Sequence, residues 1–431
     1  MSARDVLARL DGLLPGLEEL YKDLHRHPEL SFAEHRTAAE LARRLSGSGG
    51  SGGFEVHTGI AGTGVLGVLR NGPGPVVMLR ADIDALPVEE KTGLDYASEA
   101  LGCAAEGSNV RDLPVMHACG HDMHATWLSG AAALLAEGRD AWRGTLLVVF
   151  QPGEEAGTGA EAMVRDGLFE LAGRPDVVLG QHLVPGGAGW VLTRPGVIMA
   201  ATDGFRIVLH GRGGHGARPE STVDPVVMAA SVVLRLQTIV SREISATESA
   251  VVTVGSVHAG TAHNVIPESA VLEVTVRAFD EQVRAKVLAA VDRIVRGEAA
   301  AAGAPEPPEI TPIANFGVTV NDEAANTRLT TAFRGHFGGE RVLEAPLVTG
   351  SEDFGELGKA AGAPSVFWLV GGMEAEAVLD AIAGGTFERD IPSNHSPRFA
   401  PVLHPTLRTG VETLVVGALE FLSVPTETLG T

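Results

Sequence analysis

From residue 65 onward, short runs of aliphatic and β-branched residues alternate with helical segments, and the residues that stop those runs are acids and a histidine. Run 76–80 leads into Ala81-Asp82-Ile83-Asp84, run 145–151 into Pro152-Gly153-Glu154-Glu155, and run 176–181 into His182. Apolar strands separated by helices specify a mostly parallel sheet with helices packed over it. Ligands of such sheets bind beyond the carboxyl ends of the strands, so these acids and this histidine are expected on one rim. A rival signal, Gly-x-Ser-x-Gly inside the glycine-serine tract 46–53, is read as a connector. A nucleophile elbow needs a strand before it and a helix after it, and here a helix precedes and a strand follows.

The segment most loaded with reactive side chains is 116–124, Met-His-Ala-Cys-Gly-His-Asp-Met-His. In an extended or loop segment side chains two apart face the same way, so Cys119 and His121 can grip one metal. The small-residue stretch 125–136 reads as a helix. Cys119 then stands just ahead of a helix N-terminus, which favours the thiolate, the form that binds metal. Cys-x-His alone does not separate a ligand pair from a buried structural cysteine, so the remaining donors decide.

Those donors are Glu155, His182 and, far downstream, His395 in Ser393-Asn394-His395-Ser396-Pro397. Thiolate, imidazole and carboxylate together suit zinc, with manganese, cobalt or nickel as other metals that accept the set. Five donors exceed one tetrahedral ion, so two divalent ions per subunit are expected, bridged by a thiolate or a water. Consecutive side chains leaving a strand point opposite ways. Glu155 is accordingly assigned to metal and Glu154 to the proton as general base. Asp84 is expected to orient a ligating histidine; Asp82 is left open between that role and direct ligation. His25 and His27 are read as part of a helix break at Pro28, within an otherwise helical stretch 4–45.

Around residue 200 the pattern changes. Strand-like runs 202–210, 250–257, 270–279 and 309–313 and helical stretches 223–240 and 281–302 follow a β-α-β-β-α-β order, one antiparallel sheet with two helices. The fold expected is an α/β catalytic domain with a mostly parallel mixed sheet flanked by helices, residues 1–199 and 316–431. Into it is inserted an α+β lid or dimerisation domain, residues 200–315. A net charge of −21 argues against nucleic acid and anionic membranes as partners, and requires local cations to draw in any anionic substrate. Two cysteines, Cys103 and Cys119, no basic-then-apolar leader, and apolar runs too short to span a bilayer point to the cytoplasm.

The motifs Arg80-Ala81-Asp82-Ile83-Asp84-Ala85-Leu86-Pro87, 116–124, 150–155, Gly213-Gly214-His215, His258-Ala259-Gly260 with His263-Asn264-Val265-Ile266-Pro267, Ser351-Glu352-Asp353-Phe354 and Asn394-His395-Ser396-Pro397 occur in this order. Together they resemble the metal-dependent amidohydrolases that include hippurate hydrolase, auxin-conjugate hydrolase and bacterial aminoacylases. The resemblance implies two metals on Cys119, His121, Glu155, His182 and His395, with Glu154 as base. It also implies that the inserted domain supplies His215 to the oxyanion, and Asn264 and the carboxylate clamp Arg277 to the substrate, with Gly350 and Ser351 nearby. In dimeric relatives the histidine comes from the partner subunit, which implies a homodimer or dimer-based oligomer. The reaction implied is cleavage of an N-acyl amino acid by a metal-bound hydroxide, giving a carboxylic acid and a free amino acid. A dipeptidase or carboxypeptidase with the same site, and a catalytically silent metabolite binder, are the rival readings.

Overall fold

Strands Val76–Asp82 and Gly144–Gln151 are buried along nearly their whole length, as strands covered on both faces must be. They pair in parallel with each other, and Val76–Asp82 pairs in parallel with Val177–Gly187, which in turn pairs in parallel with Ser365–Met373. Antiparallel Glu55–Ile60 and Gly64–Asn71 extend one side, and Val191–Thr193 and Val342–Glu344 the other, giving an eight-stranded mixed sheet. The computed structural model describes residues 3–47, 53–102 and 112–422. Residues 48–52 of the glycine-serine tract, Cys103 and Glu106 lie outside them.

The described chain divides into two units. One comprises Met1–Ile198, Val320–Pro346 and Asp353–Thr431, the other Met199–Thr319 and Leu347–Glu352. In the first, helices Leu10–Arg26, His121–Glu137 and Leu403–Phe421 bury Leu17, Leu20, Trp127, Leu128, Val411 and Val415 in the core they share with the sheet. In the second, strands Ala201–His210, Ala250–Ala259, Ser269–Ala278 and Glu309–Phe316 form an antiparallel sheet. Helices Pro225–Thr238 and Glu281–Ala301 pack on it through Met228, Val232, Val287 and Val291. Each helix opens on an aspartate, Asp224 and Asp280, whose side chain accepts backbone N–H bonds of the first turn.

Three expectations are corrected. The segment Leu347–Glu352, carrying Gly350 and Ser351, groups with the second unit rather than with 316–431. The reason is local: Ala200 N donates to Val348 O and Gly350 O, and Arg277 Nη1 donates to Thr349 O. Helix Pro225–Thr238 continues through a π turn to Glu243, and this 19-residue stretch is long and apolar enough by length and composition to cross a membrane, contrary to the apolar-run argument. Its buried face, Met228, Val232, Leu236 and Ile239, lies in the second unit's core, while Arg235 and Arg242 are exposed.

His25, read as part of a loop break, lies inside helix Leu10–Arg26 and is buried. Its Nδ1 is 2.6 Å from Asp122 Oδ2 and its Nε2 is 3.1 Å from Glu90 Oε1. Burial opposes the charged ring, but the two carboxylates outweigh it and raise His25 to about 9. A group raised in the folded state stabilises fully below its ordinary value of 6.5, and that contribution disappears as pH rises through about 9. The gap in unfolding midpoint between wild type and His25→Gln should therefore be widest near pH 6 and narrow steadily through about pH 9, read by thermal melts across that range. A constant gap contradicts the assignment.

Candidate active site

Cys119, His121, Glu154, Glu155, His182 and His395 meet at the carboxyl edge of the first unit's sheet. The loop before helix His121–Glu137 brings Cys119, with Gly120 left-handed at φ 87° as the helix cap. A Cβ at Gly120 would stand 2.7 Å from Leu183, so the tight approach of this loop to strand Val177–Gly187 needs glycine. Cys119 Sγ lies 3.4 Å from His182 Nε2. The ligand atoms of Cys119, His121 and His182 all fall within 4.8 Å of one another, as do those of Cys119, Glu155 and His395, and those of His121, Glu154 and Glu155. The first two triads share the thiol, so the arrangement offers two adjoining cation sites with sulfur between them.

One imidazole already presents a free lone pair. His182 Nδ1 bonds its neighbour's carbonyl, Leu183 O, at 2.7 Å; that carbonyl only accepts, so Nδ1 carries the proton and Nε2 its lone pair. Burial, with His124 adding to it, keeps His182 well below its ordinary value and hence neutral. His121 Nδ1 is 3.2 Å from Asp84 Oδ1, while its Nε2 lies 3.9 Å from both Glu154 Oε2 and Glu155 Oε1. Asp84 also accepts from Ser31 Oγ at 2.6 Å and from Glu155 N at 3.0 Å. The carboxylate expected to orient a ligand thus fixes a histidine and the backbone of a glutamate together.

Two polar atoms mark what the site is built to receive. His121 Nε2 and Glu155 Oε1 are buried without a hydrogen bond, although His395 Nε2 lies 3.3 Å from that oxygen. Buried polar atoms are normally paired, and thiol, imidazole and carboxylate atoms converging this closely fit divalent metal. His395 stands in a left-handed conformation, φ 68°, its N–H donating to Ala118 O.

Three local expectations are corrected. Cys119 sits at the helix N-terminus, yet its thiol is pushed well above the ordinary value, first by burial and then by Glu155, Glu154 and Asp82. The helix end does not outweigh burial and the three neighbouring carboxylates. Glu154 and Glu155 do not point oppositely, because they stand in a turn beyond the strand rather than on it, and both carboxylates face His121 Nε2. His121 itself opens the helix instead of lying in extended chain.

Sequence reasoning left Asp82 open and missed the rest of the frame around these donors. Asp82 is wholly buried with Oδ1 2.5 Å from His124 Nδ1 and Oδ2 2.8 Å from Arg80 Nη1. His124 Nε2 accepts from Leu183 N, so its tautomer is fixed and its ring braces the strand carrying His182. Asn394 Nδ2 donates to Cys119 O and Leu183 O, tying three donor-bearing segments together. The signals for it were Arg80 and Asp82 at the end of run 76–80, His124 in the loaded segment and the asparagine beside His395.

The remaining expected residues lie in the second unit. Short strands Gly214–His215 and Val265–Ile266 pair antiparallel, which sets His215 opposite Val265, next to Asn264, whose carbonyl accepts from Gly216 N. His215 is exposed, and its Nδ1 accepts from Ala217 N at 3.0 Å. Arg277, half-buried, meets the segment holding Gly350 and Ser351, and Ser351 Oγ bonds Thr202 Oγ1.

Residues 78–380 match the description Peptidase family M20/M25/M40. The chain belongs to that family of hydrolases. Among M20 relatives it is 40% identical to hippurate hydrolase of Campylobacter jejuni over 66% of this chain and 70% of that protein. It is 34% identical to thermostable carboxypeptidase 2 of Saccharolobus solfataricus over 82% of this chain and 85% of that one. Among solved M20 structures, the Bacillus subtilis YXEP protein, described as a dinuclear metal binding peptidase, superposes with TM-score 0.72 at 28% identity, covering 96% of this chain and 100% of that one. The resemblance read from the motifs and the α/β fold class are both borne out.

The charge state gives a prediction. At pH 7 metal-free Cys119 and His121, the latter raised to about 10 by Asp82 and Asp84 against burial, both hold protons that metal must displace. Binding should release about two protons and strengthen on the order of a hundredfold per pH unit near neutrality. Calorimetry in buffers of different ionisation enthalpy measures this; proton-neutral binding contradicts it.

Proposed function

We propose that this chain hydrolyses the amide bond of N-acyl amino acids, releasing a carboxylic acid and a free amino acid, with two divalent cations held by Cys119, His121, Glu155, His182 and His395. The observation that carries the reading is the pair of donor triads sharing the Cys119 thiol, with Glu154 beside them, grouped with His121 and Glu155 but not with the thiol. Zinc fits this donor set, and manganese, cobalt and nickel are its competitors. Bound there, the cations polarise the amide carbonyl and acidify water.

The chain's own groups do the rest. Glu154, 5% exposed and 3.9 Å from His121 Nε2, takes the proton of the attacking water and delivers it to the departing amine nitrogen. Asp84 holds His121 in the orientation that presents Nε2. Because Nδ1 of His215 accepts a backbone N–H, its Nε2 carries the proton, the form needed to donate to a developing oxyanion. Arg277 clamps the substrate's α-carboxylate, a task suited to a planar guanidinium, and it supplies the local cation that a chain of net charge −21 needs. Asn264, Gly350 and Ser351 complete the substrate contacts.

We further assign a homodimer built through the second unit, which serves as lid and dimerisation domain. Its strand Ala250–Ala259 is a sheet edge with Val251 and Val257 exposed, the kind of edge that pairs with another chain. A cytoplasmic location agrees with a chain holding two cysteines. Similarity to a carboxypeptidase favours one second reading, cleavage of a peptide bond by the same site. Turnover of N-acetyl amino acids against dipeptides separates the two, since a dipeptide brings an ammonium the acyl group lacks.

The deciding experiment removes metal with chelator, restores zinc, manganese, cobalt or nickel singly, and assays free amine from a panel of N-acyl amino acids. Activity should vanish with the metal and return with it; undiminished turnover after stripping contradicts the reading. Glu154→Gln should keep both metals and lose on the order of a thousandfold or more in kcat. Arg277→Ala should raise KM for substrates with a free α-carboxylate and leave their esters unaffected, as steady-state kinetics on matched pairs will show.

A further inference from the structure

Behind the turn that carries Glu154 and Glu155 runs the segment Ser31-Phe32-Ala33-Glu34, which the mechanism above does not use. Glu34 is wholly buried. Its Oε1 accepts from Phe32 N and Gly153 N, each at 2.9 Å, and its Oε2 accepts from Thr63 Oγ1 at 2.5 Å. One carboxylate thereby joins its own loop, the turn between strands Glu55–Ile60 and Gly64–Asn71, and the exit from strand Gly144–Gln151. Burial, reinforced by Asp84, raises it to about 7, a cost its three donors partly offset.

Phe32 closes the same turn from the other side. Gly153 is left-handed at φ 61°, and a Cβ built on it would stand 2.5 to 2.8 Å from the Phe32 ring. Phe32 is itself left-handed, φ 61°, a conformation a bulky residue adopts only when its surroundings impose it. Ser31 grips Asp84, whose carboxylate oxygen also accepts Glu155 N. The Pro152–Gly153 peptide, one residue ahead of Glu154, is thus held by a hydrogen bond through Gly153 N, and Gly153 itself is backed by the Phe32 ring. Those restraints matter because Glu154 and Glu155 both turn toward His121 and repel each other.

We propose that Glu34 is a positioning residue for the hydrolysis: its carboxylate fixes the Gly153 peptide, with Phe32 as backstop, and so sets the direction in which Glu154 reaches the reacting atoms. This rests on Glu154 as the proton carrier. Without Glu34 the Gly153 N–H is buried and unpaired, and the turn relaxes to recover a partner. Glutamine at 34 keeps an oxygen able to accept both N–H groups, and its amide can donate to Thr63 Oγ1.

The test uses metal-loaded enzyme with an N-acyl amino acid that wild type turns over, and measures kcat, KM, bound metal and thermal midpoint for Glu34→Ala, Glu34→Gln, Phe32→Ala and Glu154→Gln. Glu34→Ala should lose on the order of 30- to 100-fold in kcat with KM within about twofold and both metals retained, the loss expected of a misplaced catalytic group. Glu34→Gln should recover to within about threefold of wild type, and Phe32→Ala, at a partly exposed position that tolerates truncation, should lose about tenfold in kcat alone. Wild-type kcat in Glu34→Ala, equal losses in the Ala and Gln variants, or loss of metal in step with kcat would each overturn the proposal. Should Glu34→Ala not fold, Phe32→Ala decides by the same criteria. Wild-type turnover by Glu154→Gln would instead overturn the mechanism on which the proposal rests.

Discussion

A thiol, three imidazoles and two carboxylates crowd one edge of the first unit's sheet, and most of them are shut away from water. That is an electrostatic demand no packing can meet. Left to itself, the cluster holds protons: Cys119 is pushed well above its ordinary value and His121 to about 10. Two divalent cations held by these residues would displace those protons and pair the orphaned Nε2 of His121 and Oε1 of Glu155. The fold around this edge reads as the means of keeping buried polar groups converged until cations take the place of their protons.

The frame is itself made of buried polar groups, each answered by another. Arg80 joins Asp82 to Gln151 and Asp353 beneath the donors. His124 carries that network to Leu183 N, and Asn394 ties the Cys119 loop, the His182 strand and the His395 loop into one piece. Such networks have low tolerance for partial loss, because a remaining member is left charged or unpaired in a dry interior. The Ser31–Glu34 segment extends the same logic outward: a carboxylate with no role in bond-breaking holds a glycine peptide so that the next residue faces the right way.

What the sequence disclosed and what it withheld divide along physical lines. Strands 76–82, 144–151 and 177–187 were legible because strands covered on both faces must be apolar throughout, and the inserted unit because its strand and helix periods alternate cleanly. The donors stood out because cysteine is scarce in this chain and histidine clusters at one segment. His25 and Glu34 were illegible, since their meaning lies in partners such as Asp122 and Gly153, far away in sequence. The directions of Glu154 and Glu155 were misjudged for a related reason: strand alternation ends where the turn begins. The attachment of 347–352 to the second unit depends on carbonyls meeting Ala200 N and Arg277, which composition does not encode.

The most direct test of the whole account is anomalous X-ray scattering from crystals grown with zinc and, separately, with manganese, recorded on both sides of each metal's absorption edge. Two peaks about 3.5–4 Å apart are expected. Cys119 should lie between them, His121 and His182 on one side, and Glu155 and His395 on the other. A single peak, or a pair from which Cys119 is absent, would contradict the account.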